Sequence, residues 1–448
     1  MDRRDFLQTA AFTAAGSVLA AETTAAQSPS SVQIPAAPAA EKSATGPLTR
    51  RWVEQRWVLD NVIQANGIDW DQPRSIYWNA PCGMEAGADF AAIRSQVKKY
   101  ADCAPAFEAA ARRREARARA AEEARQTVTA RDNYFIASIF WGAAQWPIDE
   151  ANEQNLAYNQ KKRDCYASYA RLADHKIEAV SIPFQGKGLP GWFHLPPNYQ
   201  GGRIPVVFAI TGMDSFKEAG VALYGDRFLS RGFAVLALEG PGQYECPLLG
   251  IYMTVPGWEE TARVVMQWLK ARPEVDPEKI VVSGTSFGSF AGTIVAASEP
   301  SYRAVAVNST VLEPGWTTIF QEASPTFKLR FMFMANYTDE ARFDDFRSTL
   351  TWEGKADKIR MPYLCLAGEF DELSPIIWTE RLIAAIPGPK QLLVYQGSRH
   401  SVGGPAANMG PPPASYVADW LLARCAGDSF ASERWYVEAS GRVTKTPL

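Results

Sequence analysis

Ser286 stands between two glycines in Val281-Val282-Ser283-Gly284-Thr285-Ser286-Phe287-Gly288-Ser289. β-Branched residues running into Gly-x-Ser-x-Gly, followed by small residues, read as a strand, a sharp turn and a helix. In such a turn the serine is strained, and the glycines let backbone and helix approach where a Cβ would clash. A serine hydroxyl attacks a carbonyl only when an imidazole takes its proton, and the imidazole needs a carboxylate to fix its tautomer. The chain has three histidines. His175 precedes the first predicted strand and His194 falls inside a predicted hairpin. His400, in Gly397-Ser398-Arg399-His400-Ser401, follows the last predicted strand, where a loop can reach the serine, so it is the expected base. Asp371, just after the predicted strand 363–367, is the expected carboxylate. Glu369 is its first alternative, and a helix N-cap ahead of Pro375 is the competing explanation for an acidic residue there. Negative charge developing on a carbonyl oxygen needs two N–H donors. Phe287 is one candidate; Met213 or Gly212, in Thr211-Gly212-Met213-Asp214-Ser215, is the other. Together these groups would perform acyl transfer, with no metal or organic cofactor required.

The elements that must position them alternate. Segments 178–184 and 189–195 flank Gln-Gly-Lys-Gly as a hairpin. Segments 204–210, 233–238, 280–282, 304–307, 363–367 and 391–395 read as buried strands, with helical patterns at 224–231, 258–271, 290–297 and 376–386. Alternating β and α elements predict a mostly parallel sheet covered on both faces, an α/β fold. Residues 309–358 are too long for a bare connection and are expected to carry helices over the site as a lid. Before the sheet, residues 48–175 read as a helical domain. Apolar residues recur at helical spacing in 51–59, and Ala, Arg and Glu dominate 86–130, with a break expected near Pro105. Further helices are expected at 134–146 and 152–173. The Arg/Glu-rich stretch 111–125 reads as a solvated helix face.

The 448-residue chain is 47% apolar and 21% charged with a formal charge of -3, an ordinary globular composition without the basic footprint of a nucleic-acid binder. Met1-Asp2-Arg3-Arg4-Asp5-Phe6-Leu7, followed by a mildly apolar stretch, reads as a twin-arginine export signal over residues 1–27. That implies a periplasmic or secreted protein. An Ala/Pro/Ser-rich linker over 28–47 and a mature chain without a membrane span complete the expectation. Six cysteines permit disulfides in an oxidising compartment, though their apolar neighbours suit buried thiols equally well. No Cys-x-x-Cys or His-x-x-x-His pair suggests zinc.

From about Lys176 to Leu422 these motifs, in this order, resemble the α/β-hydrolase fold. Within it the chain is similar to the FrsA-like esterases and the 2,6-dihydroxypseudooxynicotine hydrolase group, which place a helical cap before the hydrolase core. The likeness rests on Pro205-Val206-Val207 leading to Thr-Gly-Met-Asp-Ser-Phe-Lys217-Glu218, on Glu239-Gly240-Pro241-Gly242-Gln243, and on Leu189-Pro190-Gly191. Glu239 stands where the group usually has Asp, Tyr244 where it usually has Gly, and Thr211 where it usually has Gly. The resemblance implies an N-terminal helical cap (48–175) and a catalytic domain (176–448). It also implies hydrolysis of a carboxylic ester or lactone or, alternatively, of an activated carbon–carbon bond in a 1,3-dicarbonyl-like or aromatic ketone. A non-catalytic binding module on the same fold is the remaining reading. The aromatics Trp52, Trp57, Trp70, Tyr77, Trp78, Tyr134, Phe135, Phe140, Trp141 and Trp146 are expected mainly in the core of the cap. Any that face the catalytic domain would favour an apolar or aromatic small-molecule substrate. A homodimer is left open.

Overall fold

The computed structural model describes residues 49–448; the export signal and almost all of the linker fall outside them. The first part of the described chain is helical: α1 Arg50–Asn66, α2 Arg74–Tyr77, α3 Gly87–Gln96, α4 Cys103–Glu123, α5 Thr127–Gln145 and α6 Glu153–Leu172. α5 is buried nearly all round from Ala130 to Gln145, so it forms the axis on which its neighbours pack. α4 turns Ala106, Phe107, Ala110, Ala111, Ala118 and Ala121 inward, the three- and four-residue spacing of one helical face.

Two details differ from the sequence reading. The break expected near Pro105 falls earlier, between α3 and α4, and Pro105 sits in the first turn of α4, where its missing N–H leaves no bond unmade. The Arg/Glu-rich face is not wholly solvated. Arg114 is buried against Asp89 and Asn133, and Glu115 accepts from Lys161 and from the Trp141 indole.

A ten-stranded sheet follows: β1 Ile177–Phe184, β2 Lys187–His194, β3 Ile204–Ile210, β4 Ala234–Leu238, β5 Val275–Ser286, β6 Ala304–Thr310, β7 Tyr363–Gly368, β8 Lys390–Tyr395, β9 Glu433–Val437 and β10 Val443–Pro447. Their spatial order is β1-β2-β4-β3-β5-β6-β7-β8-β9-β10, parallel from β4 through β9 and antiparallel at both margins. β1 and β2 turn on Gln185-Gly186, both at positive φ (48° and 74°), the two-residue turn whose twist matches a hairpin. β9 and β10, a hairpin after the expected last strand, were not foreseen; β9 is only half-buried and β10 is largely exposed.

Two hydrophobic layers enclose the sheet. Val206, Phe208 and Ile210 of β3 join one and Val207 the other, as the period of two requires. The first layer contains α8 Val255–Lys270, which follows a short α7 Glu245–Leu248, then α9 Phe287–Ser298 and α12 Ile376–Ala385. α14 Pro413–Ala426, after the short α13 Pro405–Met409, supplies the second. The insertion between β6 and β7 carries α10 Pro325–Met334 and α11 Glu340–Arg347. The helix expected at 224–231 is only a single tight turn, Leu229–Arg231, ended by Gly232 in the left-handed region. Among the described residues no helix is long and apolar enough to cross a membrane, and all six cysteines are buried free thiols.

Candidate active site

Ser286 closes β5 immediately before α9, with φ 57° and ψ -120°. A non-glycine residue adopts that conformation only when its surroundings enforce it. They do so by close packing: a Cβ on Gly284 would collide with the Gly288 carbonyl, and one on Gly288 with the Ile210 carbonyl. The two glycines thus let β5, α9 and the end of β3 meet beneath the serine. Because α9 begins at Phe287, the Phe287 N–H has no acceptor within the helix and is free to bind an anion beside Ser286.

His400 lies in the loop after β8 and is almost wholly buried. Its Nε2 is 2.9 Å from Ser286 Oγ, and its Nδ1 is 3.0 Å from Asp371 Oδ2 and 3.1 Å from Oδ1. Asp371 Oδ1 also accepts the backbone N–H groups of Leu373 (2.9 Å) and Ser374 (3.0 Å). The carboxylate therefore fixes its own turn as well as facing the ring, but it does not cap α12. Glu369 points elsewhere, accepting from Gly397 N–H and the Tyr436 hydroxyl at 2.9 Å each. Glu372 takes the His400 backbone N–H at 2.9 Å, tying the two loops together. Gly368 lets them close, since a Cβ there would strike the Ser398 and Arg399 carbonyls.

Burial alone would favour a neutral His400 ring. The charge of Asp371 and its hydrogen bond outweigh that, with Glu372 and Asp214 adding to them, and the pKa rises above the ordinary histidine value. The other histidines form a separate pair: His194 Nδ1 is 3.1 Å from His175 Nε2, and its Nε2 is 3.3 Å from the Tyr166 hydroxyl. Burial and the neighbouring His175 push His194 well below the usual range.

The loop Thr211–Ser215 after β3 comes to the same point. A Cβ on Gly212 would stand only 3.1 Å from Ser286 Cβ, so any larger residue would crowd the hydroxyl. Gly212 and Met213 line a cavity of about 410 Å³ that also includes Ser286 and His400. Its apolar wall comes from Phe287, Val311, Trp316, Ile319, Phe327 and Leu373. Of the helical-region aromatics only Tyr77 reaches it, accompanied by Gln72, while Trp57 is exposed to solvent. The contributions of Gln72, Trp316, Ile319 and Phe327 escaped the sequence reading. Trp316 sits at positive φ between two irregular helical turns, where no periodicity marks which side chains turn inward.

The family described as Esterase FrsA-like matches residues 95–337, and the prolyl oligopeptidase family matches residues 262–426. Alpha/beta hydrolase xenA of Xenoacremonium sinensis is 32% identical over 193 residues, 41% of this chain and 45% of that protein. Esterase FrsA of Photobacterium profundum is 28% identical over 192 residues, 41% of this chain and 43% of that protein. The matched stretch spans under half the length of either relative. Among solved structures, the crystal structure of the 2,6-dihydroxy-pseudo-oxynicotine hydrolase aligns with 80% of this chain and 97% of its own, at 21% identity and a TM-score of 0.67.

Proposed function

Given that this chain belongs to the FrsA-like esterase family of α/β-hydrolases, we propose that it is a serine hydrolase cleaving a carboxylic ester or lactone with an apolar or aromatic acyl or alcohol part. The observation that carries this reading is the strained Ser286, its Oγ 2.9 Å from His400 Nε2, at the floor of a cavity with an apolar wall. Ser286 Oγ attacks the ester carbonyl carbon as His400 Nε2 takes its proton, and Asp371 stabilises the resulting imidazolium. The carbonyl oxygen becomes an oxyanion held by the N–H groups of Phe287 and of Met213 or Gly212. Each such donor contributes about 3 kcal/mol to the transition state. Collapse breaks the ester C–O bond. The leaving alkoxide receives the proton from His400, and an acyl-serine remains. Water then attacks that acyl carbon with His400 again as base, releasing the carboxylic acid and restoring the serine hydroxyl.

The same groups would serve the carbon–carbon alternative, in which the leaving fragment is an enolate that takes up the proton. A screen of purified protein against aryl esters, lactones and 1,3-diketones separates the two. Ester or lactone turnover well above that of any diketone is the expected result. Turnover confined to diketones would replace the ester reading with the carbon–carbon one.

A further inference from the structure

Asp214 follows Met213 in the loop that abuts Ser286, and the helical region holds it from several sides. The Trp146 indole N–H donates to Oδ1 at 2.9 Å, and the Tyr77 hydroxyl donates to Oδ2 at 3.4 Å. The guanidinium of Arg74 lies 3.5 Å from the same oxygen. The backbone carbonyl of Asp214 accepts the Trp78 indole N–H at 3.0 Å and the Tyr244 hydroxyl at 3.4 Å. Four of these five groups come from the segment Arg74–Trp146, which precedes the sheet in sequence.

The grip is itself rigid. Arg74 is fully buried, paired with Asp71, and stacked between the rings of Trp70 and Trp146 at 4.2 Å from each. Tyr244 reaches the loop from a backbone at φ 27°, ψ -84°, a conformation costing a non-glycine residue on the order of 1–3 kcal/mol. At its other end the loop is fastened by Gln243, whose amide donates to the Thr211 carbonyl at 2.9 Å. A carboxylate one residue from an oxyanion donor would by itself repel the charge forming there. Its burial among four donors and an arginine offsets that repulsion and turns the group into an anchor.

We propose that Asp214 is a positioning residue through which the helical region sets the oxyanion loop against Ser286, so that the helical region acts on the rate of the chemical step. This rests on the serine-hydrolase reading above. A displacement of about 1 Å at a reacting centre can lower a rate about 100-fold, so slackening one of several tethers should cost about 10-fold.

The test compares Trp146→Phe, which keeps the ring and removes the donor to Asp214, with Trp141→Phe in the same helix, whose buried indole donates to Glu115 instead. With 4-nitrophenyl acetate, Trp146→Phe is expected to lower kcat about 10-fold with KM changed less than about 2-fold. Affinity for an aryl trifluoromethyl ketone, which forms an oxyanion on Ser286, should fall by the same factor. Trp141→Phe should leave kcat within about 2-fold, whatever it does to the unfolding midpoint. Equal loss of kcat in the two variants, or a rise in KM at constant kcat in Trp146→Phe, would overturn the proposal. Failure of the underlying reading looks different: wild-type protein and Ser286→Ala would hydrolyse the ester at the same rate, irrespective of Trp146.

Discussion

Asp371 carries two tasks that pull in one direction. It accepts two backbone N–H groups of its own turn and faces His400 Nδ1, so its position is fixed before the ring needs it. Its charge also decides the state of the ring. His400 must be neutral to accept the serine proton, and its pKa is raised because Asp371 overcomes the effect of burial. Activity should therefore be lost as pH falls through a value above about 6.5, the ordinary histidine pKa. In Asp371→Asn the burial remains and the charge is gone, so the acid limb of kcat/KM should move to lower pH while kcat drops by about 10⁴-fold. A pH-rate profile of the variant checks both. An unmoved limb would mean that another group sets the titration.

At the scale of elements, the sequence was most legible where one physical constraint dominates. Strands β3, β6, β7 and β8 are buried on both faces and appear as short apolar runs within a residue or two of their bounds, apart from the polar end of β6. The glycines at 284 and 288 mark a close approach that only a missing Cβ allows, which is why the serine turn could be located from its letters. Legibility failed where tertiary context decides. β9 and β10 are amphipathic and partly exposed, and their pairing at the sheet margin is not encoded in an apolar run. Segment 224–231 has helical residues but only one tight turn. Glu369, Asp371 and Glu372 are indistinguishable as letters. The structure separates them through three different backbone and side-chain partners. The anchoring of Asp214 was likewise invisible, because its partners lie about 70 to 140 positions earlier in the chain.

Across the whole molecule, the helical region and the sheet meet through buried charge as well as apolar surface. Lys162 of α6 and Lys217, just beyond the loop of Asp214, face Glu218, Glu239 and Glu245, and all five are buried. Burial opposes ionisation of Glu218, but Lys162 and Lys217 more than reverse that and hold it down to about 2. Such a folded-state pKa, below the ordinary carboxylate value, gives stability that is present at neutral pH and lost as pH falls towards about 2. Lys217→Met leaves buried carboxylates uncompensated and should lower unfolding free energy by about 3–5 kcal/mol near neutrality, with the deficit narrowing in acid. Urea unfolding at several pH values reads this directly, and a neutral-pH deficit under about 1 kcal/mol would show that the cluster does not hold the two regions together. All of these arrangements converge on one hydroxyl. Exposure of folded protein to a fluorophosphonate, followed by peptide mapping, asks whether that hydroxyl is reactive. The account predicts a single adduct on Ser286, greatly slowed in His400→Ala and absent in Ser286→Ala. An unlabelled Ser286 in folded wild-type protein, or an adduct on a different serine that tracks with activity, would contradict it.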